Sequence, residues 1–315
     1  MIRWIASRLA AALITLFVAS IAVFGSLKLV PGDPISAITS GARLTDEQKD
    51  ALREQLGLNQ DFITGYFTWF SGVLQFDFGR SFVYGSPVTD IVGARMTTST
   101  TLVLYALLLT LIIGLTVALI SALKPGVVDQ ALLAITSAFI ATPSFIVALV
   151  LLGVFAVNLR WFPATGSGTG FIDQLYHLTL PAIAMALVTF GLLARVPRER
   201  FKEELASEHV EVARSRGVGM PTIVRRHVLR NSLAPIVTLS ALLVSSLFIG
   251  AAVVETAFGV DGVGQLLVSS INRRDFPVVQ AISLLSVTLF VVTSTIADLL
   301  MPLIDPRVRT VGATR

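Results

Sequence analysis

Six apolar runs set the frame for this chain: residues 9–30, 100–123, 131–157, 175–194, 233–254 and 278–301. A helix rises about 1.5 Å per residue, so roughly twenty apolar residues cross a hydrocarbon layer about 30 Å thick. That layer holds no water to satisfy an open backbone, so each run is expected to be a helix. The fold class that follows is an all-α polytopic membrane protein with six transmembrane helices. Composition agrees: only 14% of residues are charged, against about 25% in ordinary soluble domains.

The first run follows Arg3 and Arg8, as a signal peptide would. It is longer than the roughly 7–15-residue apolar core of such a peptide, so it reads as a retained helix, stopped by Pro31-Gly32-Asp33-Pro34. From there to residue 98 the chain is too polar to span. Thr45-Asp46-Glu47-Gln48 has the form of a capping box that opens a helix ending near Gly57. A second amphipathic piece over 61–74 carries Phe62, Tyr66, Phe67, Trp69 and Phe70, a pattern of core packing or of a membrane-interface anchor.

The third run contains Thr142-Pro143-Ser144. A proline there frees a backbone carbonyl, which makes the site a candidate gate or a packing irregularity. The fourth and fifth runs flank the longest charged stretch, 195–232. Its pattern is helix, bend, helix. Phe201, Leu205, Val212 and Ala213 fall near one helical face, Gly217 suits a left-handed helix end, and Pro221 suits a first turn. Such a stretch is either a solvated loop that fixes topology or a hairpin that works against a partner. After the fifth run comes a Gly-rich loop from Glu255 to Gly264. Gly259, Gly262 and Gly264 lack the Lys-Ser/Thr of a phosphate cradle, and no strand precedes them.

Charge sets the expected orientation. With both termini inside, fifteen of the 24 Lys and Arg residues lie on inner segments, although the outer segments are longer. The same asymmetry explains the net charge of +4 without nucleic acid. The chain has no Cys, and His177, His209 and His227 are scattered, so no metal or thiol chemistry is expected. Lys28, Lys49, Lys124 and Lys202 all lack a preceding Gly, so there is no P-loop for ATP. The spans carry no evident chain of acids and histidines for proton coupling, and His177 is the sole candidate base for a membrane-embedded hydrolase. Uphill transport by this chain would need an outside motor.

Glu211-Val212-Ala213, followed after three residues by Gly217, resembles the "EAA…G" signature of ABC-transporter permease subunits. The longer run from His209 to Val237 is similar to the dipeptide and oligopeptide branch. His227 and Arg230 depart from the general motif, which has an aliphatic residue and Pro there. Further blocks resemble that branch in order: 31–34, 57–81, 255–264, 273–280 and Asp305-Pro306-Arg307. The resemblance implies a first helix over 1–30, an external amphipathic insertion over 31–98, a transmembrane domain over 99–301 with a cytoplasmic coupling hairpin at 195–232 between helices 4 and 5, and a cytoplasmic tail over 302–315.

It also implies a second homologous permease, two ATPase subunits or one fused ATPase, an extracytoplasmic solute-binding protein and a bacterial inner membrane. ATP and Mg would sit on the ATPases, and this chain would bind no cofactor. Glu211, Ala213, Arg214, Arg216 and Gly217 would meet the motor: the carboxylate pairing with a basic group, the small side chain allowing close approach, the Gly allowing the bend. Thr142, Pro143, Ser144, Glu255, Gly262 and Gly264 are the pathway or gate candidates. Peptides are the expected cargo, with nickel chelates, opines or oligosaccharides as alternatives, and an ion-coupled secondary transporter is the remaining class.

Overall fold

The computed structural model describes residues 2–29, 45, 47 and 61–304. The 31–34 stop, most of the helix expected over 45–57 and the 305–307 tail lie outside them. The described residues form helices: α1 (Ile2–Leu29), α2 (Phe62–Leu74), α3 (Val88–Leu123), α4 (Val127–Ala141), α5 (Ser144–Leu151), α6 (Phe171–Leu205), α7 (Glu208–Ser215), α8 (Met220–Ile223), α9 (Leu233–Ala257), α10 (Val263–Asn272) and α11 (Phe276–Ile304). Five are long and apolar enough to cross a membrane, and a sixth span results if the bent pair α4–α5 counts as one.

The bend is larger than a proline kink. The segments Val127–Ala141 and Ser144–Asn158 differ in direction by 99°. Pro143 disfavours helical geometry in the residue before it, and Thr142 is extended at φ −89°, ψ 125°. The second segment ends in a π-helical stretch, Leu152–Asn158.

The described residues divide into two compact units, those up to 99 with 261–291, and 100–260 with those from 292 on. In the first, α2 packs on α1 through rings: Phe24 lies 5.5 Å from Phe62 and 5.4 Å from Trp69, and Phe17 lies 6.1 Å from Phe70. Tyr66 is buried among them and shares a 2.8 Å hydrogen bond with Ser20. Asp61 caps α2, and hydrogen bonding from Thr64 holds its carboxyl below its ordinary pKa. The same unit joins two distant stretches. Asp275, fully buried, accepts from the Ser81 hydroxyl and, at 3.0 Å, from the Phe82 amide. Nearby, Arg95 pairs with Asp261 at 2.7 Å, and Ser99 Oγ accepts from the Val263 amide at 2.7 Å.

The second unit is built around α6, which packs against α4, α5 and α9. Two glycines permit close approach to it. A Cβ on Gly191 would stand 2.8 Å from Ile140 Cγ1 and 2.9 Å from the Thr136 carbonyl oxygen, and one on Gly114 of α3 would stand 3.1 Å from Leu193. Thr110 and Thr189 share a 2.9 Å hydrogen bond across the α3–α6 seam.

Three boundaries differ from the sequence expectation. The second span begins at Val88 and not at residue 100, so the first three turns of α3 lie in the stretch expected as an external insertion. The fourth span does not stop at residue 194; α6 continues as one 35-residue helix, about 50 Å long, with Pro197 inside it. Leaving an apolar phase changes a helix's surroundings, not its backbone bonding, so the charges of 195–205 do not end it. The loop expected from Glu255 to Gly264 is shorter, with helix at both of its ends and only residues 258–262 between them. Glu255 lies in the last turn of α9, Gly262 caps α10 and Gly264 is inside it. A Schellman closure makes the turn compact: Gly259 has φ +56°, and the Val260 amide donates to the Glu255 carbonyl at 2.9 Å.

Candidate coupling surface

The hairpin expected over 195–232 forms from α7, α8 and the π-helical turn Val224–Leu229. Glu208 and Glu211 in the first turn of α7 and Arg214 in its last complement the helix dipole. The helix ends at the expected glycine. Gly217 has φ +78°, its amide donates to the Arg214 carbonyl at 2.9 Å, and the Val218 amide donates to the Ala213 carbonyl at 3.0 Å. A Cβ on Gly217 would meet nothing within 4 Å, so the glycine serves the left-handed backbone alone. Pro221 falls in the first turn of α8, as expected.

Beneath the hairpin is an apolar cluster of Val210, Ala213, Ile223 and Val228 from the hairpin, Ala118 and Ala122 from α3, Phe201 from α6 and Ile236 from α9. Burying a side chain such as Val or Ile contributes roughly 1.5–3 kcal/mol. Exposed ion pairs contribute about 0–1 kcal/mol. Packing therefore holds the hairpin on three helix ends, and its surface charges are free to meet something else.

The face expected from sequence is partly revised. Phe201 and Ala213 are buried, but Val212 is 49% exposed, because the chain breaks at Ala206–Ser207 and the helical phase restarts; Val210 takes the inward position. Ala213, expected to ease approach to a motor, faces this inner cluster, so the close packing it permits is within the chain. Glu211, Arg214, Arg216 and Gly217 lie on the exposed side, joined there by Met220, Arg225, Arg226 and Arg230. His227, at a departure from the motif, stands 5.5 Å from His209, ring to ring, and lies in the π-helical turn.

The pathway candidates fall on separate elements. Thr142 and Ser144 are half-buried and Pro143 exposed at the α4–α5 break; Glu255 is fully buried in the second unit; Gly262 and Gly264 are buried in the first.

Sequence reasoning missed a charged cluster beside the hairpin. Asp129, in the first turn of α4, accepts from Arg198 through both oxygens, Nε to Oδ1 and Nη2 to Oδ2, each at 2.6 Å. Lys202 Nζ reaches Oδ2 at 2.7 Å, the Ser121 hydroxyl of α3 donates to Oδ1, and Arg198 also pairs with Glu199. One turn back along α6, Arg195 donates to Ser137 Oγ of α4 at 2.5 Å. The signal in the sequence was spacing: Arg195, Arg198 and Lys202 stand three and four apart, one stripe on α6.

Two family models match the sequence. "Binding-protein-dependent transport system inner membrane component" matches residues 111–310, and its N-terminal companion matches residues 1–104. A putative peptide transport system permease protein of Brucella abortus is 33% identical over 97% of this chain and 98% of its own. The chain belongs to this family. It is a permease subunit of an ABC importer and a multi-pass protein of the inner membrane, as the sequence led us to expect. An oligopeptide transport system permease protein of Bacillus subtilis is 32% identical over 90% of this chain and 92% of its own. The glutathione transport system permease protein of Escherichia coli K12 is 32% identical over 98% and 99%. In fold, the permease is similar to a chain of the inward-facing MetNI methionine ABC transporter, with TM-score 0.57 and 17% identity over 68% of this chain and 96% of that one.

Proposed function

We propose that this permease imports peptide-class solutes, working beside a second homologous permease, with ATPases on the cytoplasmic face and an extracytoplasmic solute-binding protein. The termini and the hairpin face the cytoplasm, where the positive charges concentrate. ATP and Mg are held by the ATPases, and the 206–232 hairpin is the surface they drive. One observation carries this reading: the hairpin is packed rigidly onto α3, α6 and α9 while Glu211, Arg214 and Arg216 stay exposed. A push on that face reaches three helices at once. The energy of ATP enters as a difference in affinity between two arrangements of those helices.

The cargo rests on the relatives, three of which bear the names peptide, oligopeptide and glutathione transport permease.

The test is Glu211→Lys in the assembled transporter, reconstituted in vesicles with ATP inside. Uptake of a labelled tripeptide and ATP hydrolysis stimulated by the binding protein should both fall by about tenfold, the size of a typical coupling term. Normal stimulation and uptake would remove the hairpin from the coupling path. Uptake of a nickel chelate in place of the peptide would keep the coupling assignment and replace the cargo.

A further inference from the structure

The apolar cluster ties the hairpin to α3, α6 and α9, and none of its members comes from α4. Yet α4 leads into the 99° break at Thr142–Ser144. At the hairpin end, α4 is joined to the tail of α6 by charge: Asp129 to Arg198 and Lys202, supported by Arg195 to Ser137. The Asp129 and Arg198 side chains are only 9% and 11% exposed. A buried pair of this kind adds little net stability over an apolar replacement, so what it supplies here is geometry. A two-toothed guanidinium–carboxylate contact fixes both the separation and the register of the two helix ends it joins.

We infer that Asp129 is a positioning residue of the transport cycle: it locks the first half of the broken span to the hairpin-bearing tail of α6, so that the two move as one body. Movement received by the hairpin then arrives at the Thr142–Pro143 break, where the extended backbone can absorb it as a change of angle. Ser121 brings the end of α3 to the same carboxylate, so the lock gathers three helix ends around one charge. Glu199, on the exposed side of Arg198, balances the second cation.

This inference rests on the coupling role proposed for the hairpin, and the test separates the two. The chain contains no Cys, so cysteines placed at the exposed Ile135 of α4 and Val212 of α7 are its only labelling sites. Spin labels there, in the full transporter with cysteine-free partners, report the α4–hairpin distance with and without vanadate-trapped nucleotide. The expected result is one narrow distance in both states. In Asp129→Asn it broadens and becomes nucleotide-dependent, and peptide moved per ATP hydrolysed falls by about tenfold, while Asp129→Glu restores both.

Should Asp129→Asn not reach the membrane, Lys202→Gln, which leaves the two-toothed Arg198 contact intact, gives a smaller shift in the same direction. A wild-type distance that changes with nucleotide overturns the lock. So does an Asp129→Asn or Lys202→Gln transporter with an unchanged transport-to-ATP ratio. Shielding of the Val212 label by the ATPases reads the hairpin separately: without shielding the coupling role fails and the lock's purpose with it, and with shielding but a shifting distance only the lock fails.

Discussion

Helices α1 and α6 are both long and apolar enough to cross a membrane, and they are built in opposite ways. Of the apolar window of α6, 61% is buried within the chain; of that of α1, 6% is. Helix α6 is approached through Gly191 and Gly114 and anchors the hairpin through Phe201. Helix α1 is touched mainly by the rings of α2, and Leu13 and Ile14 stand 67% and 63% exposed. Lipid tails are as apolar as Leu, so apolarity drives a helix into the bilayer but not against its neighbours. Close packing and polar contacts do that second job. Hydropathy therefore identifies which helices enter the membrane and leaves open which of them carry the structure.

The largest effect that would sharpen this contrast is expected at Phe201, fully buried where α6 meets the hairpin. Phe201→Ala removes a large side chain from a site walled by α3, α7 and α9, and should cost about 3–5 kcal/mol. The measurement is the thermal midpoint of the detergent-solubilised permease followed by size exclusion. A midpoint equal to wild type would mean that the cluster does not hold the hairpin.

How much of this was legible beforehand follows from the same contrast. The apolar runs marked the spans, since insertion is a matter of composition and length. The hairpin's Gly217 and Pro221 were legible because left-handed backbone and first-turn proline are local chemistry. The continuation of α6 through residue 205 was not: a charged stretch signals the water boundary, and helical bonding crosses that boundary freely. The restart of helical phase at Ser207 turned Val212 outward and brought in Val210, which the unbroken helical spacing had not picked out. The Asp129 cluster was hidden because its partners lie 69 and 73 residues away, and each charge alone reads as a topology signal. The Ser81–Asp275 contact, 194 residues apart, left no mark in either stretch.

The next effect is steric. Gly191→Val sets branched carbons against Ile140 and the Thr136 carbonyl, both under 3 Å from where its Cβ must stand. Overpacking of that kind should cost about 1–3 kcal/mol, and α4 must separate from α6 to relieve it. Loss of thermal stability relieved in part by Ile140→Ala is the expected pattern, since the shortened partner gives back the space. No relief would place the strain at the backbone carbonyl, which cannot move without the helix.

The smallest effect is expected on α1. Leu13 points away from the described protein, so Leu13→Ala exchanges a side chain that meets lipid for a smaller one that also meets lipid. Surface changes away from specific contacts stay within about 0.5 kcal/mol, and the thermal midpoint should be unchanged both for the isolated permease and for the assembled transporter. A change in the transporter alone would show that α1 is covered by another subunit. The 6% burial of α1 would then describe a helix awaiting its partner, and the contrast with α6 would be one between an internal and an intersubunit core.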